Sequence, residues 1–272
     1  MKNLFTKLTS CALAGILAVG IAGCAGGSNN SETKSDDASK SGYNLVTPGT
    51  LTVGTSADYP PFENLENGEA VGLDIDIAKA VAEELGLKCE VKNLQFDAIL
   101  PAIQSGGQVD VGISGITVDP DRKKTVDFTS SYYTDDQAIA VMKDSNIKKD
   151  NATDELNKAG VIIAVQSGTT GEDYCKENFP NATIQPYGNS TDAFAAMQAG
   201  QANAVCTNAA VVKNMLSSAY TNAEVVMSVA TGEEYAVAVS KDNSELTKAI
   251  DEAINKLTKN GKIEELTNKW LG

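Results

Sequence analysis

The sequence predicts an α/β protein of two βαβ lobes joined by two crossover strands. Three observations lead there. Short β-branched runs alternate with helical patterns from Thr50 onward, the pattern of βαβ units and parallel sheets. A strand-like run over 235–239 comes late, and two further helical patterns follow it. Gly200 and Gly261 stand where helices need stop signals. A chain that crosses to a second βαβ unit and then comes back must cross twice.

Taken in order, the chain opens with Lys2 and Lys7, followed by an uncharged run over 8–23. That run is too short and too rich in Ala and Gly for a comfortable membrane span. It ends Ile21-Ala22-Gly23-Cys24, which resembles the lipobox of bacterial lipoprotein signal peptides. The resemblance implies cleavage after residue 23 and a lipid on the Cys24 thiol. Losing two lysines would take the net charge from −14 to −16. Residues 24–44 are Gly, Ser, Asn and charge with little apolar content, and read as a flexible tether.

Strands are expected over 51–54, 89–91, 109–113, 138–141, 161–165, 204–206, 223–226 and 235–239. The clearest helix begins near Asp74, where Ile77, Val81 and Leu85 fall four apart and Ala80 widens the stripe. Asp74 and Asp76 suit its positive N-terminal end, and capping is the expected role of both. Further helices fit 96–104, 170–177, 191–199, 209–217, 245–260 and 262–270. No internal repeat is visible.

Composition removes several classes of function. The 272 residues carry 36 Asp+Glu against 22 Lys+Arg, which argues against binding nucleic acid. Histidine is absent, so neither a Ser-His-Asp triad nor a His-based zinc site can be built. No cofactor or metal is indicated. Beyond Cys11 in the leader and Cys24, only Cys89, Cys175 and Cys206 remain, without CxxC spacing. They are expected to be buried as small hydrophobes, with one disulfide pair left open.

Six blocks carry a family resemblance. They are G-T-S-A-D-Y-P-P-F-E (54–63), the run Gly72-Leu73-Asp74-Ile75-Asp76-Ile77, F-D-A-I-L-P-A-I (96–103), S-G-I-T-V-D-P-D-R (114–122), Q-S-G-T-T (166–170) and E-E-L-T-N-K-W (264–270). Together they resemble family 3 extracellular solute-binding proteins, the polar amino acid receptors of ABC importers. The resemblance implies a bilobal fold of the type II periplasmic-binding-protein kind, closing on its ligand about a hinge. Lobe 1 would hold 45–132 and 236–272. Residues 133–235 would form the hinge strands and lobe 2.

The same resemblance points to a site. Arg122 suits a ligand carboxylate, because its planar fork donates two parallel hydrogen bonds. Gly115 and Thr117 would serve the same group. Gly168-Thr169-Thr170 follows a strand and opens a helix, so its N–H groups favour an anion; a plain turn with Thr capping fits equally. Tyr59 and Phe96 align with aromatic walls, and either also fits a core position. Gln166 and Thr207 would add polar selectivity.

Two positions depart from the family pattern. Asn208 stands where an Asp commonly pairs with the ligand ammonium, and Ser56 stands where an Asp often sits. Asn208 can accept from an ammonium but cannot neutralise it. By alignment, Asp119 or Asp58 is expected to compensate; otherwise the ligand lacks a conventional ammonium.

The expected function is capture of an amino acid or related carboxylate for an ABC permease and ATPase, by a monomer lipid-anchored outside the membrane. Two alternatives stand beside it. One is a dehydratase of arogenate or prephenate, as in a few relatives, for which no acid is specifically placed. The other is a sensory lipoprotein that feeds no importer.

Overall fold

The computed structural model describes residues 42–272, so the leader, Cys24 and nearly all of the tether lie outside the described residues. Two five-stranded sheets organise the rest. The first runs Lys88–Asn93, Thr50–Thr55, Val111–Gly112, Ala238–Ser240, Val126–Phe128. The second runs Thr183–Tyr187, Ile162–Gln166, Ala204–Asn208, Tyr133–Met142, Ala223–Tyr235. In each, three parallel strands are followed by two antiparallel pairings. One plan is thus built twice, from sequences with no visible repeat. This is the bilobal α/β architecture that the strand pattern predicts.

The two crossings are the strands Tyr133–Met142 and Ala223–Tyr235, which pair antiparallel over most of their length. Both extend beyond the expected 138–141 and 223–226. Tyr235 lies opposite Tyr133, and Thr117 of the first lobe bridges to Tyr235. The Phe62 ring packs edge-on against Tyr133 and Tyr235, at 5.2 and 5.3 Å between centroids. The expected strand 235–239 is two pieces: Tyr235 ends a crossing, and Ala238–Ser240 belongs to the first sheet.

The helix Leu73–Glu84 buries Leu73, Ile77 and Val81, as its spacing requires. Each such side chain contributes about 1.5–3 kcal/mol by leaving water. Gly72 makes its entry possible. At φ 137°, a Cβ there would lie 2.0 Å from the Phe62 carbonyl oxygen. That close approach lets Leu73 and Asp74 donate their N–H groups to the Pro61 and Phe62 carbonyls, at 3.1 and 2.9 Å. The capping expected of Asp74 and Asp76 is therefore not needed, and neither side chain caps the helix. Asp74 turns inward. Asp76 accepts from Lys269 and Trp270 Nε1 at 2.7 and 2.8 Å, holding the helix Lys262–Leu271 in place.

Several elements have no counterpart in the sequence reading. Asp58–Tyr59, Glu63–Glu66 and Glu69–Val71 form a small antiparallel sheet, turned at Asn67-Gly68. The edge strands Val126–Phe128 and Thr183–Tyr187 and the short helix Ala152–Leu156 are also new. Cys89, Cys175 and Cys206 are free thiols; the latter two are buried and Cys89 is half-buried.

Candidate functional site

The site lies where parallel strands end. Ser56 follows Thr50–Thr55, Ser114 and Gly115 follow Val111–Gly112, Gln166 ends Ile162–Gln166, and Asn208 ends Ala204–Asn208. Open α/β sheets leave a crevice at the carboxyl ends of their strands, where polar loop residues meet. Here two such ends face each other across a narrow, nearly closed cleft. Ser56, Tyr59, Glu63, Phe96, Ser114, Gly115, Thr117 and Arg122 line it from the first lobe, and Gln166, Thr169, Thr170 and Asn208 from the second.

Two expected residues stand apart from the lining. Thr207 lies behind it, with its hydroxyl 2.8 Å from that of Tyr59. Asp119 does not face the cavity, because its Oδ1 accepts from the N–H groups of Asp121 and Arg122 at 2.8 and 3.1 Å. It caps the short turn Arg122–Lys124 and so positions the arginine.

Arg122 is fixed at the junction of the lobes. Its Nη1 donates to the Thr117 carbonyl and its Nη2 to the Gly168 carbonyl, both at 3.0 Å. Its guanidinium lies 5.5 Å from the centroid of Phe96, a cation–π arrangement. Burial pulls its pKa below the ordinary value, opposed by the charges of Asp119 and Glu233. A guanidinium remains charged throughout.

Opposite stands the helix Thr170–Asn178. Thr169 caps it, accepting from Glu172 N at 3.2 Å, while Glu172 reaches back to Gly168 N at 2.7 Å. This is a capping box shifted by one residue. The N–H groups of Thr170 and Gly171 keep no intrahelical partner, as in any first turn. Gly168 itself is left-handed at φ 75°, and a Cβ on it would meet the Asp97 Cβ of the first lobe at 2.9 Å. Only glycine lets the lobes meet so closely there.

Further bonds cross the cleft. Tyr59 donates to Asn208 Oδ1 at 2.5 Å and accepts from Asn208 N at 3.3 Å. Burial drives the Tyr59 phenol pKa far up, so it stays a donor. Asp58 accepts from Ser56 Oγ at 2.7 Å, from Gln166 Nε2 at 3.3 Å, and from Ser190 N. Burial raises the Asp58 pKa, and those three donors oppose the rise.

In the first-lobe wall and just beneath it lies a pair of acids that sequence reasoning missed: Glu63 reaches the cleft and Asp74 lies behind it. Glu63 Oε1 accepts from Ser114 Oγ at 2.8 Å. Asp74 Oδ2 accepts from Gly115 N at 2.6 Å and from the Tyr132 hydroxyl at 2.8 Å. The other oxygen of each, Glu63 Oε2 and Asp74 Oδ1, is buried without a partner. One proton kept on Glu63 and donated to Asp74 satisfies both. Burial and the Asp74 charge push Glu63 towards holding that proton; burial pushes Asp74 up to about 6. The pair therefore holds the Ser114-Gly115 segment from below.

Glu233 was missed as well. It lies on the crossing Ala223–Tyr235, only 8% exposed. Four side chains of the site converge on it: Thr117, Thr170, Asn208 and Gln137. Its clue in the sequence was a charged residue inside a strand leading to the buried run 235–239.

Two α/β lobes meeting over a polar cleft that holds a fixed arginine define a two-lobed solute-binding protein. The family described as bacterial extracellular solute-binding proteins, family 3, matches residues 51–272, and the chain belongs to it. It is accordingly an extracytoplasmic binding protein rather than an enzyme. It is 29% identical over 271 residues to the ABC transporter glutamine-binding protein GlnH of Bacillus subtilis (strain 168), covering 97% of each chain. An ancestral arginine-binding protein, solved with arginine, superposes with a TM-score of 0.77 at 38% identity, over 82% of this chain and 99% of that one. An ancestral amino acid-binding protein described as a precursor of cyclohexadienyl dehydratase gives 0.76 at 40% identity, over 82% and 96%.

Proposed function

We propose that this chain is the lipid-anchored receptor of an ABC-type amino acid importer. The glutamine-binding relative and the arginine-bound neighbour support that class of ligand. One observation carries the reading: Arg122, held by a carbonyl from each lobe and stacked on Phe96, faces the first turn of Thr170–Asn178. An arginine fork and a helix N-terminus together recognise a carboxylate.

In this reading Arg122, Thr117, Thr169 and Thr170 hold the α-carboxylate. Gly115 supports them from the segment over the acid pair. Tyr59 and Phe96 form the apolar walls, Ser56 and Gln166 select among polar side chains, Asn208 faces the ligand amino group, and Thr207 acts from behind through Tyr59. Asp119 acts through Arg122. Lobe 1 (45–132 with 236–272) and lobe 2 turn about the crossings near 133–136 and 232–235. The pairing of those strands and the Phe62–Tyr133–Tyr235 contact support this hinge. Residues 1–23 leave as a signal peptide, Cys24 takes the lipid, and 24–44 tether a monomer to the outer membrane face, near its permease and ATPase.

Calorimetric titration and thermal shift with a panel of L-amino acids test the reading. A ligand at a hundred times its Kd stabilises the native state by about 2.7 kcal/mol. Heat of binding and a raised Tm with at least one amino acid are expected. A panel without a single binder sinks the proposal. For the anchor, Cys24→Ala is expected to release the protein from the membrane fraction of cells.

A further inference from the structure

Asn208 offers a ligand amino group an amide and no charge. A buried ammonium without a counter-charge costs several kcal/mol or so, so an acid must stand within reach. Four acids deserve comparison, and three are committed elsewhere. Asp119 caps the turn of Arg122. Asp58 collects Ser56, Gln166 and Ser190 N at the other end of the cleft. Glu63 holds a proton over Asp74 and is neutral.

Glu233 is the fourth. Its Oε2 accepts from Thr117 Oγ1 at 2.7 Å, Thr170 Oγ1 at 2.8 Å and Asn208 Nδ2 at 3.2 Å. Its Oε1 accepts from Gln137 Nε2 at 2.8 Å. Both carboxyl oxygens are thus held by donors, the arrangement that suits a carboxylate. None of the ion pairs among the described residues includes it. A carboxyl so deeply buried, outside every such ion pair and bordered by three residues that line the cleft, is placed to meet a cation.

We propose that Glu233 supplies the negative charge that holds the ligand's amino group, in the place the Asn208 amide leaves unneutralised. The inference rests on the amino acid reading above. An ammonium brings three donors. The Thr117 and Thr170 hydroxyls now donate to Glu233; rotated to donate to the ligand carboxylate, they offer lone pairs to the ammonium and complete a set of three acceptors with its Oε2. The ligand class this selects is a primary α-ammonium carboxylate. Because Glu233 sits on a crossing strand, the charge belongs to the element that both lobes share.

Titration of Glu233→Gln tests it, with L-arginine against its α-hydroxy counterpart argininic acid, and L-glutamine against its α-hydroxy counterpart. The variant is expected to bind the amino acid about 30-fold more weakly, the scale of one charged hydrogen bond. The α-hydroxy compound is expected to bind it within about threefold of wild type, so discrimination collapses. Asn208→Asp in the Glu233→Gln background is expected to restore amino acid affinity, which a merely structural role would not allow. It also keeps the test alive should Glu233→Gln alone fold poorly. Equal weakening of both ligands, or no rescue, overturns the proposal. Wild type that binds no amino acid at all overturns the importer reading first, and this inference with it.

Discussion

The two lobes share one strand plan, yet their walls of the cleft are built differently. The first-lobe wall is tied within its own lobe: Gly115 to Asp74, Ser114 to Glu63, Arg122 to Thr117 and Asp119. The second-lobe wall finds many of its partners across the gap: Asn208 on Tyr59, Gly168 O on Arg122, Gln166 and Ser190 on Asp58. A surface tied from behind is preorganised and loses little entropy when it binds. A surface whose partners lie opposite is completed only by closure. In the proposed reading the first lobe is the docking face, and the second the face that shuts.

Breaking the anchor of the docking face has the largest expected effect. Arg122→Ala removes the fork and is expected to weaken amino acid binding about 100- to 1,000-fold by calorimetry. Because Arg122 is only half-buried, Tm without ligand is expected to change little.

The next effect concerns what lies under that face. Asp74, raised from 3.8 to about 6 by burial, binds its proton more tightly folded than unfolded. Stability from this group is full below about pH 4 and is lost as pH rises through about 6. The change is on the order of 2–3 kcal/mol. Asp135, pushed up to about 6 by burial, adds to the same window. Melting at pH 5 is expected above that at pH 7.5, and Asp74→Asn combined with Asp135→Asn is expected to reduce the difference, with Glu63 keeping the remainder. A wild type less stable at pH 5 would contradict the shared proton.

Breaking a cross-cleft bond costs less. Tyr59→Phe loses the contact with Asn208 and is expected to weaken affinity about fivefold, through closure alone. The smallest effect sharpens the comparison from the other side. Glu63→Gln copies a protonated Glu63, with an amide to donate to Asp74 and an oxygen to accept from Ser114. It is expected to cost less than about 1 kcal/mol in urea unfolding, whereas an ionised Glu63 would make it stabilising.

Much of the fold was legible because periodicity reports burial. Ile77 and Val81 announced a helix face, and both are fully buried. Thr183–Tyr187 went unread because Pro186 interrupts its pattern, and only an edge strand tolerates a proline there. The turn Asn67-Gly68 is different: that dipeptide is a strong hairpin signal and was open to reading. At the site, Arg122 and Thr170 both line the cleft, and residue type beside a recognisable segment was enough to single them out. Asp119 was misplaced because a carboxylate three residues before a turn fits a cap and a ligand contact alike.

By itself, then, the sequence determined the two-lobed α/β plan, the matching segments over 54–270, and the arginine opposite a helix start. Those are local properties: spacing, turn residues and a chemical group beside its own backbone. Only the tertiary structure decided which acids lie beside the site. Glu233 meets Thr117 across 116 residues, and Ser114 meets Glu63 across 51. A carboxylate's charge state depends on its burial and its donors, and chain order states neither. The fold assembles both, leaving Glu63 with a proton beside Asp74 and Glu233 under four donors.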